Sequence, residues 1–243
     1  MKKKILQFIL FVVVLALPYA VFSGELVLIK GKGVPICEAH YKNLKSLNYL
    51  DHMVCERDKY YPEQNGITRP KWEKLDLREN KELIKRIHKF FGIGDQFGAL
   101  KLIDDEKEFK KYFNDHIMEY NLLNKTTVDI GNNGKPEIVM LYREARCDVN
   151  RNIAYNIPYS RPLFVLDKAK NLIDIKKTEP LLRNPFPRDI KAKAVNRMYQ
   201  LYDILIYKNT NYFDKWNVRD WTLTVYYQSK DEVKEVCRYQ YQQ

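Results

Sequence analysis

Residues 126–147, TTVDIGNNGKPEIVMLYREARC, constrain the fold of this chain more than any other stretch. Two runs rich in β-branched and apolar residues, Thr126–Ile130 and Ile138–Tyr142, flank a short polar loop. Asn133-Gly134 suits the positive φ angles of a tight turn. Pro136 has no N–H to give to a ladder, so it belongs at the entry of the second strand. The segment reads as a β-hairpin, the first of several.

Ahead of it the apolar period is helical. Asn80–Phe91 aligns Leu83, Ile84, Ile87 and Phe91 on one face and stops at Gly92 or Gly94. Asp104–Leu122 opens on acidic residues, favourable at the positive end of a helix dipole, and carries Phe109, Phe113, Ile117, Tyr120 and Leu122. Glu38–Leu50 is a shorter candidate, after a small strand at Glu25–Ile29; Trp72, Leu75 and Leu77 cover the core as strand or turn. Behind the first hairpin the period stays near two. Further hairpins are expected at Pro162–Leu166 with Leu172–Ile175, Tyr202–Tyr207 with Asn211–Asp214, and Trp221–Gln228 with Val233–Tyr239. Pro180–Pro187 reads as an extended linker and Asp189–Gln200 as a short helix. The expected class is α+β: one domain over 24–243, helix-rich over 24–122 and an antiparallel β-hairpin meander over 123–243, stabilised by disulfides.

Residues 1–23 have the layout of a secretory signal: Lys2-Lys3-Lys4, the apolar run Ile5–Leu17, Pro18, then small residues before Gly24. An uncleaved anchor is the rival reading, since Ile5–Phe22 nearly spans a bilayer; Pro18 and the small residues favour cleavage. Cleavage would remove three lysines from a chain of net charge +11, leaving about +8. The expected location is periplasmic or secreted, with no transmembrane span after cleavage.

Export decides how the four cysteines are read. Cys37, Cys55, Cys147 and Cys237 contain no CxxC pair, and an even number in an oxidising compartment implies two disulfides. Of the three possible pairings, Cys37–Cys55 with Cys147–Cys237 is favoured. The first closes a local loop, and the second pins the C-terminal strand to the first hairpin.

Chemistry is sparse. Ser46, Ser160 and Ser229 lie in no nucleophile motif, and His40, His52, His88 and His116 form no zinc pattern. His88 and His116 are read as packing or solvated residues. The loop 129–137, DIGNNGKPE, resembles the calcium loops of FG-GAP and dockerin-like repeats, with Asp129, Asn133, Gly134 and Glu137 at matching positions. Gly131 replaces one acidic ligand of that pattern and Asn133 is neutral. A plain turn is the simpler reading, with calcium the one candidate cofactor, bound weakly or not at all. Tyr199, Tyr202, Tyr207, Tyr212, Phe213, Trp216, Trp221, Tyr226, Tyr227, Tyr239 and Tyr241 crowd the last third among lysines and arginines. Alternation puts one face of these strands in the core and leaves tyrosines outside. A surface that stacks on sugars or meets an anionic polymer is the functional alternative.

The segments VPICEAHYKNL, MVCER, YDILIYKNTNYFDKW and VCRY resemble those of exported proteobacterial proteins of no known function. The resemblance spans most of the mature chain, implies a similar cysteine framework and implies no activity. The functional expectation is therefore a non-enzymatic binding or envelope-associated protein, its partner an anionic envelope polymer or another exported protein rather than nucleic acid. The alternative is a carboxylate-type envelope glycan hydrolase, recognisable by two facing carboxylates in a cleft.

Overall fold

The computed structural model describes residues 25–47, 63–91, 103–143, 161–169, 171–182, 200–217, 220–229 and 232–242. Within them the chain runs β1 (Glu25–Lys30), α1 (Pro35–Leu44), β2 (Ile67–Thr68), β3 (Glu73–Lys74), α2 (Lys81–Phe91) and α3 (Glu106–Tyr112). It continues through β4 (Leu122–Val128), β5 (Glu137–Arg143), β6 (Leu163–Asp167), β7 (Leu172–Ile173) and α4 (Ile175–Leu182). It closes with β8 (Gln200–Tyr207), β9 (Thr210–Asn217), β10 (Thr222–Ser229) and β11 (Glu232–Gln242). Among the described residues no helix is long and apolar enough to cross a membrane.

The helices begin where local chemistry says they should. Pro35 stands in the first turn of α1, where its missing N–H has no intrahelical partner to lose, and Glu38 follows it. Asp105 caps α3 by accepting from the amides of Lys107 and Glu108 at 2.9 and 3.0 Å. Past Tyr112 the helix widens into a π-helical turn, Phe113–Ile117, before a last turn, Met118–Tyr120.

The hairpins form, but not as one meander. β4–β5 and β6–β7 belong to a five-stranded antiparallel sheet of order β3-β4-β5-β6-β7. β8–β9 and β10–β11 belong to a six-stranded antiparallel sheet of order β1-β11-β10-β9-β8-β2. The meander breaks between β7 and β8, and among the described residues an isolated parallel bridge, Arg161 to Leu201, joins the sheets there. The expected division into an N-terminal helical part and a C-terminal strand part is therefore corrected. β1 lies beside β11 with Glu25 opposite Gln242, β2 and β3 also fall in the first half, and α4 falls in the second. The protein is α+β and sheet-dominated. The start of the expected 180–187 linker is helix instead. Pro180 lies inside α4, whose Leu181 and Leu182 are buried, and residues 183–199 lie outside the described residues. Leu122 opens β4 rather than ending a helix.

Two apolar clusters flank the six-stranded sheet. One face sends Tyr202, Ile204, Phe213 and Tyr226 into a core shared with α2, α3, α4 and the five-stranded sheet. The other sends Leu201, Leu205, Trp216, Leu223, Val225, Tyr239 and Tyr241 against Ile36, Ala39 and Leu44 of α1. That helix is bolted down by a disulfide between Cys37 and Cys237, 200 residues apart in sequence. Both predicted pairings are thereby overturned: Cys37 does not bond Cys55, and Cys237 does not bond Cys147. The physical reason is the β1–β11 pairing, which draws α1 over the C-terminal strand; Cys55 and Cys147 lie outside the described residues. Gly31 makes room for the bond. Its φ is +95°, and a Cβ there would stand 2.5 Å from Cys37 Sγ and 2.8 Å from the Val236 carbonyl oxygen.

Candidate functional site

Directly opposed residues of neighbouring antiparallel strands share a face. The α1-covered face of the six-stranded sheet therefore carries a continuous row, Asp203 on β8, Asp214 on β9, Val225 on β10 and Cys237 on β11. Two carboxylates thus sit opposite one another in the middle of an apolar face, one facing two guanidinium groups and the other an imidazole. Arg69 Nε and Arg161 Nη2 approach Asp203 Oδ2 at 3.5 and 3.8 Å. His40 Nε2 of α1 stands 3.9 Å from Asp214 Oδ2. The side chains of Asp203 and Asp214 are 0% exposed and that of His40 is 1% exposed. Tyr239 closes the group: its hydroxyl donates to the Cys37 carbonyl at 2.9 Å, and its ring meets His40 edge-on. Burial, with the charges of Asp214 and Glu38 adding to it, pushes the Tyr239 phenol far above its ordinary pKa.

Two facing carboxylates, the feature a retaining or inverting hydrolase would need in a cleft, are thus present but lie fully buried beneath α1. They pin α1, the segment just after β2 and the residues just before β6 to the sheet. Sequence reasoning missed them. The signal available was an acidic residue at core parity inside each of two apolar runs, YDILIY and NYFDKW.

Beyond the sealed centre, toward the hairpin tips, the same face opens. Tyr212 and Tyr227 are cross-strand neighbours with ring centroids 5.7 Å apart, and Tyr207 lies two residues past Leu205, the partner of Tyr212. All three are half-buried. Their hydroxyls have no hydrogen-bond partner among the described residues, whereas those of the buried Tyr142, Tyr202 and Tyr239 are bonded. Burial and its two tyrosine neighbours raise the Tyr212 pKa. Two lysines rim the patch: Lys208, with Nζ 5.4 Å from the Tyr207 ring centroid, and the exposed Lys234, opposite Tyr227. Neither is ion-paired among the described residues. The other aromatic residues expected on this surface divide differently. Tyr202, Phe213, Trp216, Tyr226, Tyr239 and Tyr241 are buried, Trp221 is half-buried, and Tyr199 lies outside the described residues.

Behind the patch, the loop singled out for calcium does another job. Asp129 accepts from the amides of Asn133 and Gly134 at 3.0 and 2.6 Å, one on each carboxylate oxygen, and Asn133 Oδ1 accepts from the Lys135 amide. Glu137 is buried, with Oε1 3.4 Å from Lys177 Nζ. These partners engage oxygens that a cation would need. Asn132 instead reaches the other sheet. Its Nδ2 donates to the carbonyls of Asn211 and Gln228, its Oδ1 accepts from the Asn211 amide, and Asn211 Nδ2 returns to the Asp129 carbonyl. This asparagine clasp fixes β9 and β10 directly behind Tyr212 and Tyr227. Of the histidines, His88 lies in the core, with Nε2 2.7 Å from the Tyr142 hydroxyl, and His116 is exposed.

No family model, curated protein or solved structure matches this chain.

Proposed function

We propose that this is an exported, envelope-associated protein that binds rather than turns over its ligand, and that the half-open tyrosine patch is its binding surface. One observation carries the reading. Tyr207, Tyr212 and Tyr227 present ring area, and hydroxyls unbonded among the described residues, on a sheet clasped from behind, while the facing carboxylates of the same face are buried. Tyrosine suits such a surface because a large amphipathic side chain with two rotatable torsions loses little entropy on binding. The buried disulfide is what an oxidising compartment permits and so supports export.

The test separates retention from turnover. Purified protein is passed over immobilised envelope glycans and envelope proteins, and the eluates are assayed for new reducing ends. Retention without product is expected, and lost when Tyr212 and Tyr227 are both replaced by Ala. Release of sugar ends that disappears in Asp203→Asn or Asp214→Asn would overturn the proposal in favour of a glycan hydrolase.

A further inference from the structure

The hairpin turn beside the patch breaks a rule of local structure. Tyr207 is paired with Thr210, so Lys208-Asn209 is a two-residue connection, and both residues have positive φ, 49° and 59°. Such turns favour Asn, Asp or Gly at both positions. Asn209 conforms. Lys208 holds a left-handed conformation that an ordinary L residue adopts only under strain. Strain kept where a glycine would relieve it points to a role for the side chain, here an ammonium group held near the Tyr207 ring.

Lys208 and Lys234 place at the rim of an aromatic patch two cations with no ion-pair partner among the described residues. The complementary ligand carries an apolar ring face and a negative charge on the same unit. A pyranose ring bearing a carboxylate meets both demands: its C–H face covers Tyr212 and Tyr227, its hydroxyls reach the free phenols, and its carboxylate faces an ammonium. We infer that the patch binds a polyuronate, with Lys208 and Lys234 selecting the charged sugar over neutral ones. This rests on the binding role proposed above. Glu232, opposite Ser229 at the outer end of the same face, opposes such a ligand.

The experiment is calorimetric titration of the full-length protein with oligogalacturonate, and with maltooligosaccharide of equal length as the neutral control. Oligogalacturonate should bind and maltooligosaccharide should not, with affinity falling as salt rises. Tyr212→Ala and Tyr227→Ala should each weaken binding about tenfold, the effect of truncating an aromatic anchor. Glu232→Gln should tighten it. Lys208→Gly is the most discriminating variant: it should raise the melting temperature, because the turn relaxes, and still weaken binding. Unchanged affinity in Lys208→Gly and the tyrosine variants, equal binding of the neutral oligosaccharide, or preference for a polyphosphate over the uronate would each overturn the inference. Capture of a different envelope component through the same tyrosines would overturn the polyuronate alone and leave the binding role standing. Glycan cleavage would overturn both.

Discussion

Tyr239 is the residue where burial, charge and hydrogen bonding meet most closely. Its phenol is forced to remain neutral by burial and by the nearby Asp214 and Glu38. Because its folded pKa lies above the unfolded value of about 10, the stability it contributes is whole below that pH and is lost as pH rises beyond it. Stability should therefore fall with pH above 10, and more shallowly in Tyr239→Phe, as read from urea unfolding midpoints between pH 9 and 12. The same variant loses the bond to the Cys37 carbonyl and should be weaker at pH 7 by about 1 kcal/mol. Asp203 faces two guanidinium groups in a fully buried setting. Asp203→Asn removes the charge both face and should destabilise by about 3–5 kcal/mol, the range for breaking a buried ion pair from one side. Such residues are nearly invisible in a sequence. An aspartate in a strand reads as its solvent face until the neighbouring strands show that its parity is inward.

Single elements were far more legible. The helical spacing of Leu83, Ile84, Ile87 and Phe91 and the acidic opening of α3 are local, and both helices formed where these signals lie. The first hairpin formed too, but on the longer loop 129–136, with positive φ at Asn132 and Gly134 rather than in a tight Asn133-Gly134 turn. Pro180 misled because the intrahelical bond it removes is outweighed by burial of Leu181 and Leu182 beside it. The clasp is hidden in the sequence for a different reason. DIGNNG looks like a cation loop, yet the residue that matters most in it, Asn132, works on carbonyls 79 and 96 residues away. Asn132→Ala should destabilise by about 1–3 kcal/mol, since it strands the Asn211 amide and the Gln228 carbonyl, with calcium and chelator giving the same loss. A calcium-dependent rise in melting temperature abolished by Asp129→Ala would instead make the loop a metal site.

At the scale of the molecule, which strand lies beside which is written in no local pattern. Four hairpins are visible in the sequence, while the break between β7 and β8 and the closure of β1 on β11 depend on how two sheets share a core. The disulfide follows the closure, so an error in one became an error in both. Peptide mapping of unreduced protein should recover Cys37 linked to Cys237, and Cys37→Ala with Cys237→Ala should cost roughly 3–5 kcal/mol for so long a loop. The pairing of β1 with β11 also orders events in time. Every ladder of the five-stranded sheet joins residues between 73 and 173, so that sheet can assemble while the ribosome is still at work. The six-stranded sheet closes later. Its first strand waits for residue 242, and until then Leu26 and Leu28 have no partner strand to cover them. Pulsed hydrogen exchange should find β4–β6 protected early and β1 last, and a chaperone that holds the young chain should be found at its N-terminal strand.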